Sequence, residues 1–99
     1  MGLNFEWDAA KARSNRRKHE AAFEEAATVF GDPRSLTIYD PDHSIVEERF
    51  VTMGLSAAGR VLVVDHTDRA KRIRLISARK ATQRERRAYE TEREDPLIG

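Results

Sequence analysis

Apolar residues recur with two different periods along these 99 residues, and the change of period divides the chain. In "AFEEAATVFGDP", Phe23, Ala26, Ala27 and Phe30 fall at i, i+3, i+4 and i+7, the stripe of an amphipathic helix, and Gly31 and Pro33 end it. Ahead of it, Asp8 is placed to cap a first helix over "AAKARSNRRKH". That helix is largely polar, with its basic residues spread around the cylinder. "FEWD" predicts a short extended or capping segment that puts Phe5 and Trp7 on one side. From Leu36 the period becomes two. "SLTIY" alternates, "DPDHS" has turn chemistry, and "VEERFVTMGL" sets Val51, Met53 and Leu55 on one face. After the connection "SAAG", "RVLVVDHT" predicts a buried apolar strand; "DRAK" turns the chain, and "RIRLISARK" alternates again. Thr82 and Glu85 form a capping box that opens a last helix.

The expected fold class is therefore α+β. Two N-terminal helices and a C-terminal helix pack on a three- to four-stranded antiparallel sheet, because short links between successive strands favour a meander. One domain is expected over 1–99, with 94–99 a loose tail.

Charge changes this picture once it is resolved along the chain. The net +1 conceals a basic start, an acidic middle and a basic last third. Residues 20–59 hold two Lys/Arg against eight acids, whereas residues 60–93 hold eleven against five. Such asymmetry suits a polyanion on one face and a basic partner on another, and ion pairing inside the fold gives the same tally. Cysteine is absent, which removes disulfides and cysteine zinc sites and fits a reducing compartment. Nothing at the N-terminus reads as a signal peptide and no apolar run reaches the roughly 20 residues of a membrane span, so a cytoplasmic protein is expected.

Among catalytic signatures, the phosphate-cradling glycine loop, G-x-S-x-G and H-E-x-x-H are all missing. His19, His43 and His66 are too scattered to announce a metal site, and no metal or other cofactor is expected. RNA cleavage needs none of these. The 2'-hydroxyl already lies beside the phosphorus, so the protein has to align it, move two protons and stabilise the added negative charge. Arginine's planar fork suits phosphate oxygens. Arg79 and Lys80, at a strand's end, are the candidates for that task. A histidine starts near pKa ~6.5 and a lysine near ~10.4, so His43 is the better proton carrier if it reaches the same face. His66, in the apolar strand, reads as structural. On composition alone, a solvated surface in which arginines pair with neighbouring acids remains the stronger reading of the last third.

The pieces "FEWD..K...N..KH", "FEEAATVFGDP", "D..HS..EERF..MG.S..GR.L.V" and "R.ISARKAT..ERR.YE", in this order, resemble the BrnT family of bacterial ribonuclease toxins from Phe5 to about Glu90. The resemblance implies a RelE-like fold and metal-independent RNA cleavage that inhibits translation. It also implies restraint by a BrnA-like antitoxin with a ribbon-helix-helix part, in a higher-order complex that meets DNA only through the antitoxin. Carried onto this chain, the motif places the catalytic candidates at His43, Glu48, Arg69, Arg79 and Lys80. RNA contacts are expected from Arg60, Arg72, Arg74, Arg84, Arg86 and Tyr89. Lys18, His19 and Glu85 also fall on recurring polar positions. The family usually has glycine after "KH", where this chain has Glu20. A left-handed turn there would cost a glutamate about 1 kcal/mol more than glycine. Two readings of other classes stand beside this one: a non-catalytic partner or co-repressor of a DNA-binding protein, and a general RNA-binding domain.

Overall fold

A computed structural model describes residues 3–69 and 71–93. Strands β1 (Asn4–Glu6), β2 (Leu36–Tyr39), β3 (Phe50–Leu55), β4 (Val61–Arg69) and β5 (Arg72–Lys80) form one sheet in the order β1-β5-β4-β3-β2. Helices α1 (Ala9–His19) and α2 (Phe23–Thr28) precede the β2–β5 meander and α3 (Gln83–Arg93) follows it. Single turns of 3-10 helix, Val29–Gly31 and Pro41–His43, lie on either side of β2. The expected loose tail, 94–99, lies outside the described residues. Among those residues no helix is long and apolar enough to cross a membrane.

The expected antiparallel meander is present over β2 to β5, but the sheet has five strands and is mixed. β1 runs parallel to β5, with Phe5 beside Ile73. Three residues are too few to show a period, and their pairing partner lies almost seventy positions away, so "NFE" reads locally as no more than a lead into the Asp8 cap. That cap is made as expected: the Asp8 carboxylate accepts from the Ala10 N–H at 2.7 Å. β3 also starts later than "VEERF" suggests. Arg49 bends the entry by donating its N–H to Ser44 Oγ at 2.9 Å, and its carbonyl accepts from Asp40.

The core lies between α2 and one face of the sheet. Phe23, Ala26 and Val29 pack with Leu62, Val64, Leu75 and Ala78, all buried. Phe5 meets Phe30 and Trp7 meets Phe23 edge-on, which seals β1 over the same core. Gly54 permits the close approach of the Val29 turn, since a Cβ there would fall 2.9 Å from Val29 Cγ1 and from Ser35 Cβ. His66 is structural, as its apolar setting suggests. It is buried, its Nε2 lies 2.7 Å from Thr52 Oγ1, and burial pushes its pKa below the ordinary value while Asp68 partly opposes that.

α1 docks by different means, because its one buried residue is polar. β1 covers only the first three residues of β5, and beyond them the edge of β5 is open. Asn15 fills the gap as a one-residue strand would. Its amide donates to the Ala78 carbonyl at 2.8 Å and to the Ala21 carbonyl at 2.9 Å, while its oxygen accepts the Ala78 N–H at 3.0 Å. Every one of these groups is buried, so the side chain replaces water completely. Asn15→Ala should therefore lower unfolding free energy by about 3 kcal/mol in urea titrations, since three buried backbone groups lose their partner. Asn15→Asp, which keeps the acceptor and loses the donor, should also destabilise the fold.

Candidate functional site

The end of α1 and the end of β5 meet at a corner. Asn15 fixes the approach, and one turn further on Lys18 and His19 project beside Arg79 and Lys80. Lys18, His19, Glu20, Arg79, Lys80 and Thr82 line one open pocket. A second hollow between α1 and β5, lined by Lys11, Ser14, Ile76 and Ser77, shares Lys18 and His19 with it. Together they make a groove along the uncovered edge of β5.

Two carboxylates guard the corner. Glu85 takes both terminal nitrogens of Arg79, at 2.7 and 2.8 Å, and also accepts the Thr82 N–H at 2.8 Å, while the Glu85 N–H donates to Thr82 Oγ1 at 3.1 Å. The capping box read from the sequence is thus present and carries a second task. The Arg79 guanidinium holds the Glu85 carboxyl down at about 2. Arg79 reaches the Lys80 carbonyl at 3.3 Å as well, so three of the five N–H donors of a guanidinium are in use. Glu20 lies 3.2 Å from the Lys80 ammonium. It sits at the C-cap of α1 with φ 54°, the left-handed conformation that glycine would adopt without cost. Its backbone carbonyl accepts from Arg60 at 3.0 Å.

Arg69, Arg72 and Arg74 lie at the other end of the β4–β5 hairpin, where Arg69 faces Arg72. Arg79 lies seven positions beyond Arg72 along β5, about 23 Å at the usual rise per residue. One scissile phosphate cannot engage both Arg69 and Arg79, so the five catalytic candidates of the motif do not form one site. Glu6 draws in all three far-end arginines, and Glu47 pairs with Arg69 at 3.1 Å. His43 and Glu48 belong to the loop between β2 and β3, which adjoins this far end because Phe50 pairs with His66. His43 Nδ1 lies 2.8 Å from Asp40, and Glu48 is exposed. Neither joins Arg79 and Lys80.

The expected RNA contacts also divide. Arg84 and Arg86 are exposed on α3. Arg60 is engaged by Glu25 at 2.6 and 3.0 Å, tying the β3–β4 turn to α2. Tyr89 is only 2% exposed and its hydroxyl donates to Asp32, so it packs α3 in place and presents no ring face to a base. Sequence reasoning passed over Asn15, and it placed Lys18 and His19 on recurring polar positions without giving them a role. The spacing N-x-x-K-H was the available signal, because it puts all three within one turn of helix. Among the described residues no three His, Cys, Asp or Glu side chains gather as a metal site would require.

Two outcomes test this geometry. Glu85 starts from 4.5 and is lowered to about 2, so its stabilising contribution is complete above about pH 4.5 and disappears as pH falls through 2. Glu85→Gln should be less stable at pH 7 and should lose less stability between pH 4.5 and 2 than the parent, as read from urea midpoints. Glu20→Gly should gain about 1 kcal/mol in the same titration, because relief of the left-handed backbone exceeds the loss of an exposed ion pair to Lys80.

The family model for "Ribonuclease toxin, BrnT, of type II toxin-antitoxin system" matches residues 7–85. The crystal structure of the Brucella abortus ribonuclease toxin BrnT superposes with a TM-score of 0.61 at 19% identity, over 83% of this chain and 100% of that one, which shows a shared fold. No curated protein sequence matches the chain. With a family match over most of its length, this chain belongs to the BrnT ribonuclease toxins of type II toxin-antitoxin systems.

Proposed function

We propose that the chain cleaves RNA without a metal, at the α1–β5 corner, and that this activity inhibits translation in the cytoplasm until a BrnA-like ribbon-helix-helix antitoxin neutralises it. The observation that carries the reading is the convergence of Lys18, His19, Arg79 and Lys80 on one pocket that opens into a groove. A phosphate in that pocket meets two lysines and a guanidinium that still has donors to offer. The groove alongside is open to solvent and not a closed cavity, which suits a chain-like substrate. The relation to RelE-like toxins implied by the sequence belongs to the same proposal.

Cleavage follows from these groups. The 2'-oxygen attacks phosphorus, its proton passes to a base, the bond to the 5'-oxygen breaks, and that oxygen takes a proton. The products are a 2',3'-cyclic phosphate and a 5'-hydroxyl. Arg79 and Lys80 stabilise the charge gathered on the phosphorane. His19 is the proton-transfer group of this corner. Phosphate binding displaces Glu85 from part of Arg79 or uses the remaining N–H groups, and it competes with Glu20 for Lys80.

A second assignment has its own observation. Asp40 orients His43 through Nδ1 and leaves Nε2 free, the arrangement of a general base, with Arg69 and Glu48 near the same end of the sheet. Cleavage assays on radiolabelled RNA in excess chelator separate the two. Arg79→Ala and Lys80→Met should each lower the single-turnover rate by about 100-fold or more, and His19→Ala by a similar factor, with circular dichroism unchanged. A full rate in these three together with loss in His43→Ala moves the site to the far end. Binding without scission by the parent chain replaces the enzyme with an RNA-binding or partner-binding module.

A further inference from the structure

The two edges of the sheet are built differently. β1 is three residues long and its Glu6 is drawn into ion pairs with arginines of β5 and β4, so a charged residue blunts that edge. β2 is the opposite edge and is made of "LTIY", with no charge of its own. Nothing among the described residues pairs with its outer side. The Asp40 N–H donates to the Arg49 carbonyl at 2.9 Å, which fixes the alternation along β2. Ile38 and Leu36 therefore turn their backbone groups toward β3, and Thr37 and Tyr39 turn theirs outward.

The side chains around this edge are apolar and uncovered. Ile38 is 64% exposed, Tyr39 48%, Ile45 90% and Val46 96%. Ile45 and Val46 line a shallow hollow with Asp42, His43, Glu47 and Arg49. The buried Nε of Arg49 has no acceptor among the described residues. Such an edge invites another strand, and proteins that leave one this apolar have it covered in use.

Charge identifies the occupant. Residues 40–48 hold Asp40, Asp42, Glu47 and Glu48 and no lysine or arginine. Asp42 and Glu48 have no ion pair among the described residues. A second copy would bring the same uncharged strand and the same four carboxylates, whereas a segment with apolar residues alternating with Lys or Arg meets both features.

We propose that the protein antitoxin of the module supplies that segment and pairs with β2 as an added strand. Its apolar residues cover Ile38, Tyr39, Ile45 and Val46, and its cations face Asp42 and Glu48. This rests on the membership in a type II toxin-antitoxin family and not on the location of the RNA site. The docking edge lies apart from the α1–β5 corner, so the added strand is an anchor, and any part of the antitoxin that blocks the corner is a separate segment.

Hydrogen exchange on the chain alone and in complex with its co-expressed antitoxin reads the pairing directly. The amides of Thr37 and Tyr39 should exchange freely in the first and become protected in the second. Ile38→Lys with Val46→Lys should weaken the complex about tenfold or more while melting temperature and RNA cleavage by the free chain stay at parent values. Asp42→Lys should weaken it further, and binding by the parent should fall as salt rises. Parent-like affinity in the double variant, or exposed Thr37 and Tyr39 amides in the complex, overturns the proposal. So does protection of those amides in the free chain by self-association. The exchange and affinity readouts use no RNA: a chain that binds its antitoxin through β2 and cuts nothing sinks the ribonuclease reading alone.

Discussion

A single buried carboxamide holds the working parts of this molecule together. Asn15 joins the last turn of α1, the link to α2 and the open edge of β5 through three hydrogen bonds. α1 has little apolar surface with which to dock, Ala12 being its one member packed on the core, so hydrophobic burial cannot set its position to within an ångström. Hydrogen bonds with fixed direction can. Because the amide grips Ala78, the residue before Arg79, the distance from α1 to the basic end of β5 is set by side-chain geometry and not by loop length. Lys18 and His19 inherit that precision.

Along β4 and β5, the cations are already matched. Arg60 is held by Glu25, Arg79 by Glu85, Lys80 by Glu20 and Arg69 by Glu47. The net charge of +1 is therefore the sum of many local cancellations, and Arg84 and Arg86 of α3 are among the cations left exposed. The pairs differ in kind. Glu25 and Arg60 form a clamp between a turn and a helix, which Ser56 completes by donating its hydroxyl to Glu25 at 2.7 Å. Glu20 and Lys80 are both largely exposed, so solvent screens their pair and it adds little to stability. Glu85 stands between these, since it also caps α3 and cannot leave Arg79 without loosening a helix start.

Features determined by neighbours in sequence were legible. The Asp8 cap, the stripe of α2 with its Gly31 stop, the alternation of β5 and the box of Thr82 with Glu85 all depend on residues a few positions apart. So did the glutamate in a position suited to glycine, which does adopt the left-handed conformation. Features determined by distant partners were not. β1 has no period of its own and exists because Ile73 and its neighbours offer an edge. Tyr89, counted among RNA contacts by its motif, is buried because Asp32 waits 57 positions upstream. The basic run also looked like one surface until the length of β5 placed its ends far apart. That separation transferred the histidine nearest Arg79 from position 43 to position 19.

The parallel pairing of β1 with β5 sets an order of events during synthesis. Asn4 finds its partner only at Arg72, and Asn15 waits for Ala78. A ribosome making this chain has translated most of it before either contact is possible, so the nascent polypeptide carries α1 as an untethered and marginal helix. The basic corner comes into being with the last strand. Until that strand is made, Lys18 and His19 have no Arg79 and Lys80 beside them.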